Sequence, residues 1–343
     1  VTVMTKHVII AGGGVAGIEA AGVLADMGHT VSILEKEGNP GGHVSKWHAL
    51  FPDRRPAGEV TGYLGKRIEN ENIRFIAGTS VEKIERHGGG LTVGISGGTT
   101  LNADAVIVAT GFDLFDARRK EEYGYGIYDN VITSADLEQM FNDDRLLTSD
   151  GRVPDRIGFV HCVGSRDEKV CNEHCSKVCC VTAVKQAIEV REKLPGCEVF
   201  CFYMDMRMFG PFYEELYRES QEKYNVNYIR GKVSEASGTM KKRVALKVED
   251  TLAGRPLKME VDLLVLMTGM EMSKSGAKLA EASGFATGIN RFLESTDNHY
   301  GSNMSKMKGV FYAGTCTAPM NITDTISHAR AAAVEAVKYL SSK

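Results

Sequence analysis

Three observations predict an α/β chain with two Rossmann-like domains. The apolar run Val8-Ile9-Ile10 leads into Gly12, Gly14 and Gly17 and then into an alanine-rich stretch, a strand–turn–helix pattern. A second strand-like run, Ile157-Gly158-Phe159-Val160, lies near mid-chain and is followed by a helical stretch and the strand-like Glu198–Tyr203. At 343 residues the chain is also too long for one ordinary core.

Each residue type in the first motif has a physical reason. Gly12 permits a tight turn, Gly14 lets the backbone approach a pyrophosphate, and Gly17 lets the helix pack on the strand. The helix N-terminus faces the phosphates with its partial positive charge. Glu35 closes the strand-like Thr30–Leu34, where an acid accepts from ribose hydroxyls. Strand, helix and acid in that order predict a dinucleotide site.

Three further runs are Glu37-Gly38-Asn39-Pro40-Gly41-Gly42-His43, Val106-Ile107-Val108-Ala109-Thr110-Gly111 and Gly309-Val310-Phe311-Tyr312-Ala313-Gly314-Thr315. They resemble the glycine pair, the ATG motif and the last-strand motif of the two-dinucleotide-binding-domain flavoproteins, a thioredoxin-reductase-like architecture. The resemblance implies FAD rather than NAD at the first site. It implies contacts from Gly12, Gly14, Val15, Ala16, Gly17, Glu35, Lys36, Gly41, Gly42, His43, Ala109, Thr110, Gly111, Gly314, Thr315, Ile322 and Thr323. Thr315 stands where that family usually has Asp, and its hydroxyl can bond a ribityl or phosphate oxygen. Thr323 or Asp324 is the expected cap of the following helix, which by resemblance points its dipole at the flavin's pyrimidine edge. Cys316, just before it, reads as a small buried thiol. Motifs at both ends predict a discontinuous FAD-binding domain, 1–112 and 262–343, interrupted by an inserted degenerate nucleotide-binding-like domain, 113–261. Residues 58–104 read as connecting strands and Asp262–Met270 as the strand returning to the flavin domain. Ser273-Lys274-Ser275-Gly276 reads as a loop.

The second domain lacks the expected glycines. After Ile157–Val160 comes HCVGSRDEKVCNEHCSKVCC, which holds five of the eight cysteines between positions 162 and 180. Cysteine this dense is hard to explain by packing, and thiolates are soft ligands for iron or zinc. Cys162, Cys175, Cys179 and Cys180 are the candidate metal ligands, with the adjacent pair at a helix start, where the dipole favours thiolates. A structural zinc, a redox dithiol of Cys171 with Cys175, and buried structural thiols remain open on the residues alone. His161 and His174 read as hydrogen-bonding neighbours. With the phosphate-cradling turn missing, NAD(P)H is not expected here.

The cysteine spacing, the VGSRDE run and the CS-x-x-CC ending closely resemble the A-subunit family of heterodisulfide reductase. The resemblance implies a [4Fe–4S] cluster on those four cysteines, near FAD. It also implies an oxidoreductase role in electron transfer, and a homodimer within a heterodisulfide-reductase-like complex. Lys185, by resemblance, reaches the flavin as the candidate catalytic residue, and Arg207 is a candidate partner or flavin contact. Phe51-Pro52-Asp53-Arg54-Arg55 stands where relatives place cysteines, so the extra clusters that bifurcation needs are not expected. Among the shorter relatives, the sulfur oxidisers' complex is the leading expectation and a quinone-interacting oxidoreductase the next. An NAD(P)H-dependent disulfide reductase is the alternative enzyme. Lys plus Arg number 41 against 44 Asp plus Glu, which gives no electrostatic footprint for nucleic acid. No apolar run reaches the roughly 20 residues of a membrane helix, and the N-terminus does not read as a signal peptide, so a cytoplasmic location is expected.

Overall fold

The computed structural model describes residues 5–342, which divide into two compact units. One holds residues 5–45, 58–113 and 271–342, the other residues 46–57 and 114–270.

The first unit is built on a five-stranded parallel sheet. Its order is Val310–Tyr312, Ala105–Val108, His7–Ala11, Thr30–Leu34 and Ile73–Ile76. The central strands are apolar on both faces, as a parallel sheet covered on both sides requires. Ile9, Ala11, Val106 and Val108 pack with the antiparallel strands Val81–His87, Gly90–Ile95 and Thr100–Ala103. The helices Val15–Asp26 and Ile322–Ser341 pack together, close enough for alanines at 16, 20, 21, 329, 332, 333 and 336 to be buried. Glu19 is buried between them. Its carboxylate accepts from Arg330 Nε at 2.7 Å and from Tyr63 Oη at 2.8 Å, which joins both helices to a third, Ala57–Ile68.

The second unit repeats the plan. A parallel sheet runs Val131–Thr133, Leu263–Thr268, Arg156–Val163, Glu198–Tyr203 and Asn227–Arg230, with the antiparallel strands Val233–Gly238, Val244–Asp250 and Arg255–Val261 beside it. Side chains alternate between two cores. Phe159, Cys201, Val265 and Met267 meet the helix Cys179–Lys193 on one face, while Val160, Phe202, Leu264 and Leu266 meet the antiparallel strands on the other. One device recurs in both units. Asp104 accepts from His7 N at 3.0 Å, and Asp262 accepts from Asp155 N and Arg156 N at 3.0 and 2.9 Å, so the acid just before Ala105–Val108 and the one just before Leu263–Thr268 each cap the start of the neighbouring central strand.

Several expectations change. The strand Leu263–Thr268 does not return to the first unit's sheet; it pairs with Val131–Thr133 and Arg156–Val163, an interior position that buries both faces of its apolar run. Ser273 is not in a loop but caps the helix Lys274–Ser283, its hydroxyl accepting from Gly276 N at 3.0 Å. The cap of Ile322–Ser341 is Asn321, which accepts from Asp324 N at 2.7 Å, ahead of the expected residues. The strand reading of 58–104 omits the helix Ala57–Ile68, whose exposed face and several glycines weaken the helical pattern.

Glu19→Ala removes a buried acceptor from Tyr63 and Arg330 together. Urea denaturation is expected to show a loss of about 1–3 kcal/mol, and an unchanged midpoint would mean that this tie does not hold the three helices.

Candidate functional site

In the first unit the glycine turn closes tightly and leaves one open side. A Cβ on Gly12 would collide with Ala109 O, and one on Gly17 with Gly12 O, so both positions require glycine for close approach. A Cβ on Gly14 would meet only Gly42 Cα, at 3.9 Å. The space over Gly14 is a cradle, walled by Gly41, which bridges to Gly14 and donates from its N to Gly13 O at 2.8 Å. No side chain caps the helix Val15–Asp26, and its first turn carries no acid, so the N–H groups of Val15, Ala16 and Gly17 are available to an anion.

Glu35 is buried at the strand end. Its carboxylate accepts from Gly13 N at 2.6 Å and Glu37 N at 2.8 Å, which pins the turn to the acid and leaves lone pairs for further donors. Lys36 next to it is exposed and 4.0 Å from Glu37. His43 stacks on Phe112 with ring centroids 4.4 Å apart. Ala109 N donates to Ala11 O, and the adjoining Thr110 buries its hydroxyl with no partner. A Cβ on Gly314 would stand 2.6 Å from Ala16 Cβ, which brings the Gly314–Thr315 turn onto the helix start, and Thr315 lies close to Gly111. Gly314 N donates to His328 Nδ1 at 2.9 Å, and burial pushes the His328 pKa down, keeping that nitrogen an acceptor. Ile322 and Thr323 form the first turn of the last helix. These candidate residues therefore lie together in one unit, and an open glycine cradle with an orphaned hydroxyl fits a dinucleotide.

In the second unit the cysteines lie where the glycine turn lies in the first. Cys162 is the penultimate residue of the strand Arg156–Val163, at a register irregularity with φ +59°, and Cys179 and Cys180 open the helix Cys179–Lys193. All three are buried. Cys179 donates toward the sulfurs of Cys162 and Cys180, which holds its own pKa well up. The same bonds draw Cys162 down to about 7 and Cys180 down to about 4, the latter helped by His161. Burial lowers His161, but the sulfurs of Cys180 and Cys201 outweigh it and hold the ring up at about 10, although neither ring nitrogen has an aligned hydrogen bond. Cys175 is half-buried and accepts from Lys177 N at 3.3 Å. Arg166 acts electrostatically on both Cys162 and Cys175, and its buried Nη1 has no partner. Among the described residues no three His, Cys, Asp or Glu side chains surround a point that would hold a single metal ion. The donor set and the orphaned guanidinium nitrogen fit an anionic, thiolate-held group.

The loop between these cysteines is tied down along its length. Gly164, at φ +74°, lies against the Phe115 ring with no room for a side chain. Ser165 and Ser176 share a hydrogen bond of 2.5 Å, and Ser176 also accepts from Met270 N at 2.8 Å. Asn172 Nδ2 donates to Gly164 O at 3.0 Å, His174 Nε2 bonds Met270 O at 2.9 Å, and the buried Lys120 donates to Asp167 at 2.6 Å. Cys171 is exposed and left-handed, at φ +58°. Arg207 is exposed beyond the next strand. Lys185 is buried; its ammonium donates to Ala49 O at 3.0 Å and to Glu138 Oε1, and it forms an ion pair with Glu189 Oε2 at 3.1 Å. Sequence reasoning missed Glu138, whose partner is 47 residues away, and Glu189, whose i,i+4 spacing from Lys185 looks like that of an ordinary surface pair on a helix.

Residues 2–130 match the family model described as pyridine nucleotide-disulphide oxidoreductase. The fold matches thioredoxin reductase from Lactococcus lactis, with a TM-score of 0.70 at 18% identity over 99% of this chain and 100% of that one. Thioredoxin reductase from T. acidophilum matches at 0.68 and 20%, covering 97% of each chain. The class is thus a two-dinucleotide-binding-domain protein with the thioredoxin-reductase-like fold. Within that class the chain is related to the A subunits of heterodisulfide reductases. It is 31% identical to the iron-sulfur A subunit of the CoB–CoM heterodisulfide reductase of Methanocaldococcus jannaschii, over 96% of this chain and 63% of that protein. The A subunit of the H(2)/formate:CoB-CoM heterodisulfide,ferredoxin reductase of Methanococcus maripaludis is 40% identical over 68% of this chain and 36% of its own length. The chain spans less than two thirds of these relatives. None of its helices, among the described residues, is long and apolar enough to cross a membrane.

Gly164→Ala is expected to destabilise the second unit by about 1–3 kcal/mol, because its Cβ enters the Phe115 ring. Gly65→Ala, in a helix with open space around it, is expected to leave the denaturation midpoint unchanged or raised. Equal effects from the two would contradict the packing described.

Proposed function

We propose that the first unit binds FAD and that the second holds a [4Fe–4S] cluster on Cys162, Cys175, Cys179 and Cys180. On this reading the chain is the flavin and iron–sulfur electron-transfer component of a heterodisulfide-reductase-like complex. One observation carries it: two sheets of the same plan bear, after the same strand, a glycine cradle in one unit and a cysteine loop in the other. When bound, FAD supplies two-electron chemistry and the cluster passes electrons singly.

The chain's own residues have defined tasks on this reading. The N–H groups of Val15, Ala16 and Gly17 receive the pyrophosphate, Glu35 accepts from the ribose, and Thr110 donates its orphaned hydroxyl. The N-terminus of the Ile322–Ser341 helix presents Ile322 and Thr323 with its dipole toward a negatively charged ring edge. In the second unit the Cys179–Lys193 helix start and Arg166 favour thiolates over thiols. Lys185 keeps its place as the candidate catalytic residue only if it releases one of its three present partners to reach the flavin. The cysteine-free run Phe51–Arg55 speaks against electron bifurcation; the complex is read as one of sulfur-compound oxidation, with protein- or thiol-bound sulfur as the ultimate donor, and a quinone-linked complex is the second reading. The protein is read as a homodimer in the cytoplasm.

Anaerobic purification followed by flavin, iron and sulfide analysis is expected to find stoichiometric FAD with iron and acid-labile sulfide. FAD without iron would leave a dithiol flavoenzyme instead. Rapid bleaching by NADPH would favour an NAD(P)H-dependent disulfide reductase, and no such bleaching is expected without a second glycine turn. Gly14→Ala is expected to fold normally yet lose FAD, since its Cβ enters the cradle and touches no protein atom closely; retained flavin would remove Gly14 from the site.

A further inference from the structure

The helix that begins with Cys179 and Cys180 carries a buried charge cluster further along. Glu138, Lys185 and Glu189 are 3%, 1% and 6% exposed, so two carboxylates share one ammonium out of contact with water. The two acids differ in their partners. Glu138 Oε1 accepts from Lys185 and from Gln186 Nε2 at 2.6 Å, and its Oε2 accepts from His48 N at 2.8 Å. Glu189 has only the Lys185 ammonium, 3.1 Å from Oε2, and neither of its oxygens receives an aligned hydrogen bond. Of the two, Glu189 is the acid that gains from a proton.

The charged groups acting on Glu189 are few. Lys185 and Glu192 stand on its own helix, and Glu138 stands on the packed helix Ser134–Asn142. The packed segment 46–57 contributes the Ala49 carbonyl to Lys185, while its Arg54 pairs with Glu192 instead. Burial pushes Glu189 up, Lys185 opposes it and Glu138 adds to it, leaving the group at about 7. Glu192, one turn on and 42% exposed at its side chain, offers a way to solvent.

We propose that Glu189 takes up a proton when an electron enters the cysteine site at the start of its helix, so that the buried charge stays constant. The step balances. A low-potential one-electron reductant gives one electron to the cysteine-held cluster, one proton from water joins a Glu189 carboxylate oxygen, and no bond to sulfur breaks. Nine residues separate Cys180 from Glu189, an axial rise of about 13 Å along a buried helix, where charges are weakly screened. The inference rests on the cluster reading above. It also fixes a sign for stability. The folded-state pKa lies above the roughly 4.3 of an unfolded Glu, so this group's contribution is fully present below that value and is lost as pH rises through about 7.

Potentiometric titration of the iron-loaded protein at pH 6 and pH 8 tests the coupling. The wild-type midpoint is expected to fall as pH rises, and Glu189→Gln to hold one midpoint at both values with its iron retained. A pH-independent wild-type potential, or the same slope in Glu189→Gln, overturns the proposal. Infrared titration of the purified wild-type protein is a second arm that needs no cluster. A carboxylic-acid carbonyl band titrating near pH 7, and missing in Glu189→Gln, supports Glu189 as the proton site, and no such wild-type band overturns it. Protein without iron fails the functional reading and the coupling with it, while the infrared arm still decides the proton site.

Discussion

Close packing at the end of one strand governs what the second unit can hold. Val163 leads into Gly164, which has no space for a side chain against Phe115, and Gly269 meets Ser165, Ser176 and Gly164 O with equally little room. Two backbones this close leave the loop one path, outward and back to the helix at Cys179. The Ser165–Ser176 bond then joins the two ends of that loop. Cysteines spread over nineteen residues are held together only by such tethers, because each free residue would cost about 1–2 kcal/mol of backbone entropy on ordering. In the first unit the same position is closed by Gly12 and Gly17 and left open at Gly14. The plan is shared and the contents of the turn differ.

Charge follows from that geometry. A helix that starts with two cysteines presents its positive end to sulfur, and Cys179 shares its proton with both neighbours rather than releasing it. Further along the same helix, Lys185 neutralises one of two buried acids and leaves the other short of partners. The helix therefore carries groups that respond to charge both at its start and in its middle, connected by its own backbone hydrogen bonds.

Much of this is legible in the residues. The first glycine motif, Glu35 and the Gly41–Gly42 pair are readable because turns and close approaches demand specific residue types in fixed order. The second unit's strands Arg156–Val163 and Glu198–Tyr203 stand out as apolar runs with β-branched and aromatic residues. Leu263–Thr268 reads as a strand but not as a member of its own sheet, since pairing is a long-range choice that an all-apolar run does not encode. The helix at Ser273 escapes a reading of the residues because serine, glycine and lysine look alike in a loop and in a capped first turn. Glu138 carries no local signal, and the i,i+4 spacing of Lys185 and Glu189 does not show that the pair is buried, so their meaning arises only once Lys185 is seen buried between them.

The most direct test of a cysteine loop standing in for a nucleotide turn is iron content across single cysteine variants purified without oxygen. Iron is predicted to be lost in Cys162→Ala, Cys175→Ala, Cys179→Ala and Cys180→Ala and kept in Cys171→Ala. Full iron in any of the first four, or its loss in Cys171→Ala alone, would contradict the ligand set.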